Sequence, residues 1–75
     1  MSDYLTQQNE MRRLERIARK VKQAEKSLGP LTTGQRSDLI LDNFTEVYDS
    51  QHARYILAAL EDLGMIHKAV QTNNL

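Results

Sequence analysis

The fold is decided by the stretch Asp49-Ser50-Gln51-His52-Ala53-Arg54-Tyr55-Ile56-Leu57-Ala58-Ala59-Leu60-Glu61-Asp62-Leu63-Gly64-Met65-Ile66. Asp49 and Ser50 are both good N-cap residues, so a helix starts at one of them. Ala53, Ile56, Leu57, Leu60 and Leu63 follow at three- and four-residue steps, which makes a single apolar stripe on that helix. Gly64 ends it. Met65-Ile66-His67-Lys68-Ala69-Val70 then alternates apolar and polar residues, which predicts a short strand.

Upstream, Thr32-Thr33-Gly34-Gln35 has the spacing of a capping box, with hydroxyl and amide each satisfying a backbone N–H. A helix is expected from Thr33 to about Asn43. The adjacent Leu39, Ile40 and Leu41 bury it on more than one side, with Phe44 and Val47 completing the contact. The segment 4–28 reads as one long amphipathic helix rich in Glu, Gln, Arg, Lys, Ala and Leu. Met11, Leu14, Ile17, Ala18, Val21, Ala24 and Leu28 form its apolar stripe. Arg12, Arg16, Arg19 and Lys26 lie opposite, flanked by Arg13, Lys20 and Lys22. Gly29-Pro30 stops it, because glycine takes the left-handed cap and proline cannot continue the ladder. Gln71 to Leu75 reads as a loose tail.

The run Leu60-Glu61-Asp62-Leu63-Gly64-Met65-Ile66, behind a capped helix, resembles the recognition helix and following strand of winged helix-turn-helix proteins of MarR-like and ArsR-like type. The resemblance covers roughly residues 31–70. It implies a helix-turn-helix over 31–70 with a short C-terminal strand, which together with the long N-terminal helix makes a mainly α, winged-helix-like domain. The third helix would enter a DNA major groove. Two features depart from the family. The turn Asn43-Phe44-Thr45-Glu46-Val47-Tyr48 is longer than usual and lacks glycine, and the five residues after Val70 are too few for a second wing strand, so the wing is truncated.

On that recognition helix the exposed positions would be Gln51, His52, Arg54, Tyr55 and Ala58. Gln51 and Arg54 can reach adenine and guanine edges, and His52 and Tyr55 can reach phosphates. Plain solvated surface also accounts for such residues. The cations of the first helix, Arg12, Arg16, Arg19 and Lys26, lie along a helix of about 35 Å and can track phosphates, dock an acidic protein, or simply face water. Met11, Leu14, Ala18, Val21 and Leu28 also fall at heptad a and d steps, broken by Glu25. A homodimer through the N-terminal helix, with Tyr4, Leu5 and Met11 at the seam, is therefore expected.

Composition narrows the classes. The chain has 75 residues and is read as one domain, 1–75. A chain this small buries only about 60% of its unfolded surface, so its core is thin. Ten basic residues balance ten acidic ones, but residues 12–26 carry a local net of plus five and residues 36–62 a local net of minus four. Cysteine is absent, which excludes disulfides, thiolate metal sites and a cysteine nucleophile. No apolar run approaches the roughly 18 residues of a membrane span, and the N-terminus lacks a signal pattern. The expected location is the cytoplasm, with no membrane partner, and the Asn43-Phe44-Thr45 sequon then has no meaning.

An enzyme is not expected. His52 and His67 have no zinc-ligand spacing, and no phosphate loop or nucleophile elbow occurs. Asp38 and Asp42, one turn apart, fit a solvated helix face. No metal and no cofactor are expected. Two functions remain. One is a small DNA-binding transcriptional regulator of phage or plasmid type, acting on double-stranded DNA. The other is a protein-interaction module on the same scaffold that binds and modulates a host protein; net neutrality, the acidic second half and the truncated wing point that way.

Overall fold

The computed structural model describes the backbone of residues 2–70 and the side chains of residues 8–70. The expected tail, 71–75, and the side chains of Tyr4 and Leu5 lie outside the described residues. Among the described residues the architecture is mainly helical, with three helices: α1 (Ser2–Leu28), α2 (Thr33–Asn43) and α3 (Ser50–Asp62).

Local chemistry sets each boundary. Gly29 takes a positive φ of 89°, and its N–H donates to the Glu25 carbonyl at 2.9 Å, closing α1. At the start of α2 the capping box forms in full: Gln35 N–H donates to Thr32 Oγ1 at 3.2 Å and Thr32 N–H to Gln35 Oε1 at 2.9 Å. Thr32→Ala should cost about 1 kcal/mol, read as a lower urea midpoint at unchanged slope; an unmoved midpoint would show that the box does not hold α2 in solution. Asp49 caps α3 by accepting from His52 N–H at 2.8 Å. At its far end Met65 N–H donates to the Leu60 carbonyl and Gly64 N–H to the Glu61 carbonyl, at 2.9 and 3.0 Å. That pair of bonds is a Schellman closure, and it requires the left-handed backbone that Gly64 adopts at φ 75°.

The three helices meet in one apolar core. Ile17, Ala18 and Val21 come from α1, Ile40 from α2, and Ala53, Ile56, Leu57 and Leu60 from α3; Val47 and Ile66 join from the connecting segments. Leu14, Leu39, Leu41, Phe44 and Met65 pack around them, partly buried. Two leucines of the expected stripes stay outside. Leu28 is 74% and Leu63 55% exposed, because each sits at a helix end, beyond the last residue that another helix covers.

The expected C-terminal strand does not form among the described residues. Only an isolated parallel bridge joins Thr32 to Val70. The reason lies in the backbone hydrogen bonds of this segment. The His67 carbonyl accepts from Arg36 Nη1 at 2.9 Å, and Ala69 N–H donates to Glu61 Oε2 at 3.1 Å. Side chains take the groups that a strand partner would otherwise pair.

Those contacts belong to an ion-pair centre under the three helices. Arg36 is 2% exposed. Its Nε and Nη2 donate to the two carboxylate oxygens of Glu25 at 2.9 and 3.1 Å, and its Nη1 donates to Glu61 Oε2 at 3.1 Å. Glu25 Oε2 also accepts from Leu31 N–H at 3.1 Å. One guanidinium thus ties α1, α2, α3 and the C-terminal segment together. It also explains why Glu25 interrupts the apolar stripe of α1.

Candidate nucleic-acid interface

The buried stripe of α3 decides what the helix shows outward. With Ala53, Ile56, Leu57 and Leu60 turned inward, a 100° step per residue leaves Gln51, Tyr55, Ala58 and Asp62 on the far side. All four are exposed, and Tyr55 is 76% exposed. The small Ala58 leaves the middle of this face low, with Tyr55 one turn and Gln51 two turns nearer the N-terminus.

Arg54 occupies one flank of that face. It is exposed, and its Nη2 lies 4.0 Å from the place a Gly34 side-chain carbon would take. The guanidinium therefore leans over the N-terminal turn of α2. Arg54, Lys68, Thr33 and Gly34 border an open cleft of about 510 Å³ there. Glu61 reaches the same cleft, but its carboxylate already holds Arg36 and the Ala69 N–H.

His52 occupies the other flank, and here the expectation of an exposed side chain needs correcting. The imidazole is half-buried. It stacks on Tyr48 with ring centroids 4.2 Å apart and planes 16° from parallel. Its Nδ1 is buried and has no hydrogen-bond partner among the described residues. Tyr48 itself is 78% exposed. The stack pairs a turn residue with a helix residue, which apolar periodicity does not reveal.

Four cations of α1 form a separate surface, while Arg13 shares a groove with His52 and Tyr55. Arg12, Arg16, Arg19 and Lys26 are all exposed, on the side away from Ile17, Ala18 and Val21. Arg16 is engaged: its Nη2 is 3.2 Å from Glu46 Oε2, and its guanidinium carbon lies 5.9 Å from the Phe44 ring centre. Both α1 and α3 turn their apolar sides to one core, so their outward faces diverge. The structure therefore brings Gln51, Arg54 and Tyr55 together and leaves Arg12, Arg19 and Lys26 elsewhere.

Among the described residues, no three His, Asp or Glu side chains gather as a metal site, and no helix is long and apolar enough to cross a membrane. Asp38 and Asp42 both stay exposed on α2. Comparison with protein-family models, curated proteins and solved structures found no match.

Proposed function

We propose that this chain is a non-enzymatic DNA-binding regulator of helix-turn-helix type. In this reading α2, the turn 44–49 and α3 form the motif, and α3 enters the major groove. The observation that carries it is the outward face of α3 near its capped N-terminus, where Gln51 and Tyr55 stand beside the flanking Arg54. Gln51 supplies an amide donor and acceptor for an adenine edge, Arg54 a pair of donors for a guanine edge, and Tyr55 a phosphate contact. Lys68 adds a cation at the Arg54 flank. His52 serves by holding Tyr48, and the α1 cations act at longer range, raising the encounter rate with a polyanion. Such a role needs no cofactor and places the chain in the cytoplasm.

The test is a fluorescence-anisotropy titration with duplex DNA at low and at physiological salt. Binding should fall steeply with salt, since each phosphate contact releases a counterion. Arg54→Ala should weaken binding to a selected site by about 1–3 kcal/mol with an unchanged circular-dichroism spectrum. Equal affinity of variant and parent would remove α3 as the reading element.

The exposure of Tyr48 and Tyr55, at 78% and 76%, favours a second reading. Exposed tyrosines on a rigid helix are frequent anchors of protein interfaces. The same scaffold would then bind and modulate a host protein, with the tyrosines at the centre of the contact. No DNA binding even at low salt would select this reading over the first.

A further inference from the structure

The packing of α1 into the body begins at Leu14. That residue is partly buried, and Ile17, Ala18 and Val21 are buried, whereas residues 8–13 are all exposed. The helix nevertheless runs on to Ser2, so the molecule measures 50 Å along one axis and 23 and 22 Å along the others. Met11, 42% exposed, continues the line of Leu14 and Ala18 out along this projection. On the side of α1 that carries Glu10 and Arg13, a groove of about 290 Å³ lies between α1 and α3, floored by Leu14, Ile17 and Ile56 and rimmed by Glu10, Arg13, Glu46, His52 and Tyr55.

We propose that the occupant of this groove is the N-terminal half of α1 from a second copy of the chain, laid antiparallel across a two-fold axis. Charge decides the direction. Glu10 and Arg13 stand one turn apart, and neither has an ion-pair partner among the described residues. An antiparallel pair sets Glu10 of each copy against Arg13 of the other, making two opposite-charge contacts. A parallel pair would set Glu10 against Glu10 and Arg13 against Arg13. The two-fold symmetry makes the surface self-complementary. A parallel coiled coil along the whole heptad register is unavailable, because Ala18 and Val21 are already buried in their own core. The proposal does not depend on DNA binding; where both hold, Tyr55 lies at the rim of the seam and the reading of bases falls to Gln51 and Arg54.

The test uses the charge-swap variants Glu10→Arg and Arg13→Glu in the full chain, with mass measured by sedimentation and native mass spectrometry. Both positions are exposed, so each variant should keep the helical spectrum of the parent. The parent should be a dimer at high micromolar concentration. Each variant alone brings like charges together and should self-associate roughly tenfold more weakly. Mixing the two should restore the dimer as a heterodimer, because all its cross-contacts are again of opposite sign. A monomeric parent overturns the proposal, as do variants that dimerise like the parent or a mixture that gains nothing. None of these outcomes touches the Arg54 test, so failure here is separable from failure of the DNA reading.

Discussion

Arg36→Ala is expected to destabilise the protein by about 3 kcal/mol, a large share of the total for so short a chain. At roughly 0.05–0.15 kcal/mol per residue, a domain of this length has on the order of 4–11 kcal/mol to lose. The cost comes from what remains. Removing the guanidinium leaves the carboxylates of Glu25 and Glu61 facing one another under the helices, with neither balanced. They keep 21% and 19% side-chain exposure, so water relieves part of the penalty, which holds the estimate at the lower end of the range for broken buried pairs. The His67 carbonyl also loses its donor. Arg36→Met should fare little better, because its apolar stem restores packing and leaves both charges. Adding Glu25→Gln and Glu61→Gln to Arg36→Met should recover most of the loss. Each glutamine keeps a carbonyl oxygen for the Leu31 and Ala69 N–H groups and carries no charge. Urea denaturation of the four proteins measures this directly. A midpoint for Arg36→Ala within error of the parent would show that the centre contributes no net stability.

What the amino-acid order reveals here depends on the range of each interaction. The capping box at Thr32 and Gln35, the Asp49 cap and the glycine closures at Gly29 and Gly64 were all legible, because each is complete within a few residues. The outward placement of Gln51, Arg54 and Tyr55 was legible too, since the stripe Ala53, Ile56, Leu57 and Leu60 fixes the direction of its own opposite face. The Arg36 centre was not, because its partners stand 11, 25 and 31 positions away. One signal was nonetheless present: Glu25 lies four residues after the buried Val21 and Arg36 four before the buried Ile40, so each helix carries an opposite charge on its core side. Missing that pair led to the strand expected over 65–70. Alternation alone says nothing about who supplies the hydrogen bonds, and here Arg36 and Glu61 supply them. The flank position of His52 was hidden for a related reason, since its stacking partner Tyr48 precedes the helix and shares none of its periodicity.

Leu60 and Leu63 offer the sharpest comparison of pattern with packing. They stand three residues apart on one apolar stripe, and sequence treats them alike. In the structure Leu60 is 0% and Leu63 55% exposed. Leu60→Ala should therefore cost about 3 kcal/mol, within the range for fully buried leucines, as lost transfer free energy and a cavity add together. Leu63→Ala should stay within about 0.5 kcal/mol, as surface substitutions usually do. In a core built from about a dozen side chains there is little slack to collapse into the Leu60 cavity, so recovery by relaxation should be small. The consequence reaches the proposed interface, because Leu60 helps to hold α3 against the body while Gln51 and Tyr55 stand on its far side. Leu60→Ala should thus weaken DNA binding at temperatures where part of the population is unfolded, and Leu63→Ala should not. Thermal melts of the two variants beside anisotropy titrations decide the matter. Equal losses in both would mean that α3 packs along its whole stripe, and its outward face would then have to be drawn differently.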